Sequence, residues 1–486
     1  MSIGIIHSNR FKRRFVGVFV TLVALVVAGC SRGSGSGSHE AVPDTTIVFD
    51  ADTFDSDTSV YEVTDTLRAV TLYGPTSYFI YRGEKMGYDY TLLRDFARDS
   101  RLALKLTVAP TLGAAIDMLD EGRAELLAYE VPITAHYRQF VIPCGPESYS
   151  TQVLVQQREK GRAPIEDVTE LVGHDVYVIG DSKYERRLAN LNDELAGGII
   201  VHTVDPDSAT DEDLIAQVWE GKIPMTVVDS NIARLNSTYY HGLDISTPVS
   251  MAQRSSWAVA PGCQALADSV DRWFAEDAPK TVNADLLKRF FEMSKTEPYK
   301  AFDFTKGYIS NYDRIFKRYA PTIGWDWRLL AAQAYTESRF NARARSWAGA
   351  RGLMQVMPST GRGYGANINT LNNPETSVSV AVRLLRDLDR YLLDYVPNDR
   401  ERLKFVIAAY NCGIAHIYDA IALAKKYGYN PQVWDDNVER ALLMKMNPEF
   451  YNDPVVKYGY ARGTETSAYV KRIMRFYDNA VREIPA

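Results

Sequence analysis

The sequence predicts a multidomain chain, an α/β two-lobed region followed by a mainly α domain. Three observations lead there. Strand-like and helix-like segments alternate from about residue 67 to 275, the texture changes to helices from residue 309, and 486 residues are too many for one ordinary domain. An apolar fraction of 46% gives each part a core to bury. A formal charge of only −6 argues against a nucleic-acid binder built on a basic face.

The chain opens on Arg10, Lys12, Arg13 and Arg14, followed by an uncharged apolar run over 15–28. That run is short for a spanning helix, which takes about 20 residues, and its flanks are those of a signal peptide. It ends in Val27-Ala28-Gly29-Cys30, which resembles the lipobox of bacterial lipoproteins. The resemblance implies a signal peptide over 1–29, cleavage before Cys30 and a lipid on its thiol. With Ser31 next rather than Asp, it implies the periplasmic face of the outer membrane. SRGSGSGS over 31–38 begins a flexible tether, expected over 30–60. Of the other cysteines, Cys144 and Cys263 are the pair an oxidising compartment could bridge, with three buried thiols (Cys412 included) as the alternative; their spacing matches no metal site.

The α/β region is expected over 61–295. Residues 67–73 form a β-rich run. Residues 90–98 are amphipathic at helical spacing, with Leu92, Leu93, Phe96 and Ala97 on one side. Leu102, Leu104, Leu106 and Val108 alternate as in a strand, 112–120 reads as a helix and 126–129 as a strand. The alternation continues through 151–156, 176–179, 199–204 and 226–228. Several phrases in order, Gly87-Tyr88-Asp89, Glu121-Gly122-Arg123-Ala124-Glu125, Ile133-Thr134 with Arg138, Ile179-Gly180-Asp181-Ser182 and Val228-Asp229, resemble the periplasmic solute-binding proteins of the amino-acid type. That resemblance implies two lobes with a ligand between them. Arg138 would grip a carboxylate, Asp229 an amino group, and Asp181 and Ser182 would open a helix whose N–H groups face the ligand. The Thr134-to-Arg138 spacing is one residue longer than the family's, and Glu125 stands where the family has Asp.

The mainly α domain is expected over 300–486. Leu330, Gln333, Ala334 and Glu337 fall at i, i+3, i+4 and i+7 on one helical face, so a carboxyl ends an otherwise buried stripe. Burial disfavours a charged carboxylate, which suits a general acid. Downstream come Gly349-Ala350-Arg351-Gly352-Leu353-Met354-Gln355-Val356-Met357-Pro358, then Ala408-Ala409-Tyr410-Asn411-Cys412-Gly413, then Glu465-Thr466-Ser467-Ala468-Tyr469-Val470. With Glu337-Ser338, this set resembles the catalytic domain of the soluble-type lytic transglycosylases, a goose-type lysozyme-like fold. The resemblance implies Glu337 as the catalytic residue. Ser338, Ser346, Gln355, Met357, Asn411, Glu465 and Tyr469 would be substrate-binding, and Tyr410 would position the catalytic carboxyl.

Glu465 belongs to the motif set, but the resemblance does not make it a second catalytic carboxylate, whereas hydrolytic glycosidases flank the bond with two. One carboxyl suits a transglycosylase that cleaves the MurNAc–GlcNAc bond of peptidoglycan and closes a 1,6-anhydro ring without water. No cofactor or metal is expected. The partners expected are glycan strands, the outer membrane and a muropeptide or amino-acid ligand. Two other readings stay open: a water-using muramidase on the same fold, and a non-enzymatic solute-binding lipoprotein.

Overall fold

The computed structural model describes residues 65–158, 163–206, 209–295 and 302–485. The expected signal peptide, Cys30 and the expected tether lie outside the described residues. The first lobe opens with β1 (Asp65–Leu72) and a tight hairpin, β2 (Phe79–Tyr81) against β3 (Glu84–Met86). It continues through α1 (Tyr88–Asp99), β4 (Leu102–Ala109), α2 (Leu112–Asp120), β5 (Leu126–Pro132) and β6 (Ile142–Ser150). The chain then crosses into a second lobe: β7 (Gln152–Gln157), β8 (Asp175–Ile179), α3 (Lys183–Glu194), β9 (Ile200–Val204), α4 (Asp211–Trp219), β10 (Met225–Asp229), α5 (Ser230–Ser237) and β11 (Leu243–Asp244). It returns to the first lobe with β12 (Gln253–Val259), α6 (Gln264–Ala275) and α7 (Asp277–Phe291).

The first sheet has the order β4-β1-β5-β12-β6 and the second β11-β7-β10-β8-β9. Within each, strands joined through helices pair in parallel, since such a crossover needs a helix-length connection. The strands on either side of the two lobe crossings, β6, β7, β11 and β12, pair antiparallel with their neighbours. β10 is buried over Met225–Val228, as a central strand covered on both faces must be. Cys144 is buried in the first lobe and Cys263 sits half-buried at the start of α6; both are free thiols, so the bridge considered for them does not form.

The remainder is helical: α8 (Asp313–Tyr319), α9 (Trp327–Ser338), α10 (Pro358–Gly363), α11 (Pro374–Leu392), α12 (Asp399–Cys412), α13 (Ile414–Lys426), α14 (Glu439–Met444), α15 (Pro448–Tyr451) and α16 (Gly463–Glu483). α9 is apolar almost all round, and every residue from Trp327 to Ala334 is buried, which makes it the central helix, packed against α16. A second apolar cluster belongs to both parts. It joins Tyr78, Phe79 and Phe290 of the first lobe to Trp347, Met357 and Tyr460 of the helical part. The Trp347 ring lies 5.5 Å from Phe290 and 5.6 Å from Tyr81, centroid to centroid. Among the described residues no helix is long and apolar enough to cross a membrane.

Candidate active site

α9 carries Glu337 where its last turn leaves the core. Leu330, Gln333 and Ala334 are fully buried on the same face, and Glu337, one turn on, reaches a cavity of about 1450 Å³. Arg339 and Phe340 then take left-handed φ values of 49° and 64°, which ends the helix and turns the following loop across the cavity mouth. Gln355 (φ 49°) and Arg82 (φ 51°), which both border the same carboxyl, are also left-handed. Such conformations cost about 1–3 kcal/mol each in non-glycine residues, so they persist only where the surroundings enforce them.

The Glu337 side chain is 3% exposed. The Tyr469 hydroxyl donates to its Oε1 at 2.6 Å, and Gln333 Nε2 donates to that hydroxyl at 3.4 Å. Burial pushes the Glu337 carboxyl above the ordinary glutamate range, against the Arg82 charge and the Tyr469 hydrogen bond, which both pull it down. Burial likewise holds the Tyr469 phenol well above its usual range, so it stays a donor.

The Arg82 charge arrives from the first lobe. Arg82 and Gly83 form the two-residue turn between β2 and β3, both at positive φ as a type I′ turn requires. From that tip Arg82 Nη2 donates to both Glu337 oxygens at 3.0 and 3.2 Å, and Nη1 donates to the Gln355 carbonyl at 2.7 Å. The Arg82 N–H donates to the Cys412 carbonyl at 3.1 Å. Gly413 makes this approach feasible, because a Cβ there would stand 2.9 Å from the Gly83 nitrogen. Tyr81 donates through its hydroxyl to Glu465 Oε1 at 3.2 Å.

A buried polar chain fixes the hairpin from below. Lys445, itself bound to Asp419 at 2.6 Å, donates to His416 Nδ1 at 2.9 Å, and His416 Nε2 donates to the Ile80 carbonyl at 2.8 Å. An ammonium only donates, so Nδ1 is the acceptor and the imidazole proton sits on Nε2. Burial, reinforced by the Lys445 charge, holds His416 well below its usual range and therefore neutral.

The transglycosylase SLT domain model matches residues 314–433, which carry α9 and the loops around Glu337. The chain is 32% identical over 410 residues to the membrane-bound lytic murein transglycosylase F of Desulfosudis oleivorans, covering 83% of this chain and 87% of that one. It is 31% identical to the protein of the same name from Pseudomonas fluorescens, covering 85% and 84%. The chain belongs to the membrane-bound lytic murein transglycosylase F family. Its first half is similar to the L-cystine solute receptor of Neisseria gonorrhoeae in its unliganded open conformation (18% identical, TM-score 0.40, 48% of this chain and 96% of that one). It is also similar to substrate-binding domain 2 of Lactococcus lactis GlnP in its open conformation (16%, TM-score 0.41, 49% and 99%). The helical part that carries the domain match and the first lobe of the α/β part meet at the Glu337 carboxyl, through Arg82.

Several expected site residues surround that meeting point in this family member. Gln355, Ser346, Ser338, Asn411, Glu465 and Tyr469 all line the cavity. Two expectations need correction, for Tyr410 and Met357. Tyr410 does not hydrogen-bond Glu337: its hydroxyl donates to the Met354 carbonyl at 2.8 Å, and Tyr469 is the tyrosine that donates to the carboxyl. Met357 is buried in the apolar cluster shared with the first lobe, away from the cavity lining. Ser338 directs its hydroxyl to the Leu353 and Ala334 carbonyls, so its hydrogen is engaged by backbone. Ser346 Oγ accepts from the Ala350 N–H, and Asn411 Oδ1 accepts from the Thr466 hydroxyl.

Of the residues expected between the lobes, Ser182 caps α3 by accepting from the Glu185 N–H, and Asp181 precedes it with φ 57°. The Asp229 carboxylate is paired with Lys183, so it is not an open acceptor for a ligand ammonium. Arg138 is exposed on the first lobe and joins none of these three. What bridges the lobes is Asn231 of α5, which donates to both oxygens of Glu130 at 2.9 and 3.1 Å; burial raises the Glu130 carboxyl.

Sequence reasoning missed Arg82, the His416–Lys445–Asp419 chain and Arg462. The Arg82-Gly83 pair carried a turn signal, but no local pattern ties it to a carboxyl 255 residues away.

Proposed function

We propose that this chain cleaves the MurNAc–GlcNAc β-1,4 bond of peptidoglycan without water, with Glu337 as acid and then base, and that Arg82 holds it at rest. The observation that carries the reading is one carboxyl, buried yet lining a cavity of about 1450 Å³, raised above the ordinary glutamate range by burial and held by Tyr469. Glu337 gives its proton to the bridging oxygen as the C1–O bond breaks, and GlcNAc departs with a new hydroxyl. The muramic 2-acetamido group stabilises the charge at C1. The C6 hydroxyl then attacks C1, its proton returns to Glu337, and the 1,6-anhydro ring closes with the acid regenerated. A water-activating second carboxylate is not needed. Digestion of purified sacculi by the parent chain and by Glu337→Gln tests this. Anhydro-ended products from the first and none from the second are expected; products one water heavier assign the muramidase reading instead.

The resting state follows from competition for one carboxyl. A Glu337 whose two oxygens both accept from the Arg82 guanidinium is drawn toward its charged form and covered, so it is poorly placed to protonate or meet a sugar. The two lobes hold different parts of the site. The first lobe owns the hairpin. The second holds Arg462, ahead of α16, through Glu212 at 3.3 Å and the Tyr239 ring at 3.7 Å. A rotation of one lobe against the other cannot preserve both sets of contacts. A muropeptide or amino acid bound between the lobes, at the start of α3 where Asp181 and Ser182 stand, would thereby withdraw Arg82. Adding such ligands while following lysis and thermal stability tests this; no effect of any on either rejects it.

The division into a solute-binding-like domain over 61–295 and a lytic domain over 300–486 belongs to the same reading, as does anchoring. A lipid on Cys30 would tether the enzyme to the periplasmic face of the outer membrane. Cys30→Ala is expected to move the protein from the membrane to the soluble fraction, and retention in the outer membrane would reject the anchor.

A further inference from the structure

The cavity beside Glu337 is far more basic than the chain. Its lining holds eight arginines against four carboxylates, in a protein of formal charge −6. Most of its long wall is one face of α16, where Tyr469, Arg472, Arg475 and Phe476 follow at helical spacing. Arg343 and Arg345, on the loop after α9, extend the same basic surface. Arg343, Arg345, Arg472 and Arg475 are exposed, and among the described residues none has an ion-pair partner. The second lobe adds an aromatic part of the lining: Trp219, 45% exposed, lies 5.3 Å from the Tyr240 ring, centroid to centroid.

A glycan backbone is uncharged and gives such arginines nothing to pair with. It accounts for the aromatic part, on which sugar faces pack, but not for the basic one. Guanidinium groups are suited to carboxylates, which they grip through two parallel N–H donors, and a cleft lined by one sign of charge concentrates the opposite sign. The muramic acid of a glycan strand carries a stem peptide with free carboxylates. We infer that Arg472 and Arg475 of α16, with Arg343 and Arg345 on the loop after α9, bind the carboxylates of the stem peptide, so that the enzyme prefers peptide-bearing strands to stripped ones. This rests on the lytic reading and adds the substrate class.

The test uses the full chain carrying Glu337→Gln, so that fragments are bound and not consumed. Affinity is measured for a GlcNAc–MurNAc tetrapeptide and for the same disaccharide without peptide, at low and high salt. The peptide-bearing fragment is expected to bind about tenfold more tightly, with the preference shrinking in high salt. Adding Arg472→Gln and Arg475→Gln, both surface changes, is expected to bring the two affinities together while the melting temperature stays put. Equal affinities in the parent, no binding of either fragment, or a preference that survives the two substitutions would overturn the inference. In the last case, a preference lost on substitution between the lobes assigns it to the solute-binding-like part. Anhydro products released from sacculi by the chain with Glu337 intact are scored separately. A failed lytic reading shows there as absent products, and a failed stem-peptide reading shows only as equal affinities.

Discussion

Arg82→Ala is the most informative single change. The guanidinium is 10% exposed, the Glu337 carboxylate 3%, and their contacts are 3.0 and 3.2 Å, with a third bond at 2.7 Å to the Gln355 carbonyl. Truncating one partner of such a buried, hydrogen-bonded charge pair costs about 2–5 kcal/mol, much of it from the charge left behind. At about 1.4 kcal/mol per factor of ten, docking of the hairpin weakens roughly 30-fold to several thousand-fold. For a resting population about 99% closed, even the low end opens about a quarter of the molecules. The basal rate, read as anhydro-muropeptide release from sacculi without effector, is then expected to rise by about tenfold or more. The rest of the hairpin keeps its contacts, so circular dichroism and the melting profile should remain those of a folded protein. An unchanged or lower basal rate from a folded Arg82→Ala chain would refute the claim that the hairpin gates the site.

Other outcomes follow from the same geometry. His416→Ala removes the N–H that holds the Ile80 carbonyl without touching the cavity, and should raise the basal rate by a smaller factor than Arg82→Ala; an equal or larger rise would mean the latch dominates the ion pair. Lys445→Met strands the buried Asp419 carboxylate and should cost about 3–5 kcal/mol, seen in denaturant unfolding; a loss below about 1 kcal/mol would contradict the buried pair. Both the Arg82 charge and the Tyr469 hydroxyl favour ionised Glu337, so removing either raises the carboxyl pKa. General-acid activity falls as pH rises through that pKa. In an Arg82→Ala background, Tyr469→Phe should therefore carry the descending limb of the pH–rate profile to higher pH, and a shift to lower pH would reverse the assignment. Tyr410→Phe leaves the buried Met354 carbonyl without its partner and should cost about 1–3 kcal/mol of stability while leaving that limb in place.

What the sequence made legible was whatever depends on local period. The 3.6-residue stripe from Leu330 to Glu337 located both the central helix and the carboxyl at its end. The alternation of strands and helices gave the α/β region, because each strand or helix is written in its own few residues. Tyr410 and Tyr469 were both expected at the site, but a motif does not say which phenol reaches Glu337; that depends on how α12 and α16 cross α9. Met357 was expected in the cleft and lies in the shared core because the first lobe packs over it, a burial no pattern within the helical part announces. Lys183 quenching Asp229 is a contact across two crossovers of the second lobe. Arg82 is the extreme case: a surface-looking hairpin turn whose meaning resides entirely in the carboxyl it covers.

The apolar cluster shared by Tyr78, Phe79 and Phe290 with Trp347, Met357 and Tyr460 has a practical consequence for anyone who would divide the chain. A fragment containing only the helices would leave with half of a core, its tryptophan and methionine faces bare to water. Such a fragment should be sticky, prone to self-association, and also deprived of Arg82, the arginine proposed to restrain it. On that reading the catch and the frame share one core, so that removing either compromises the other.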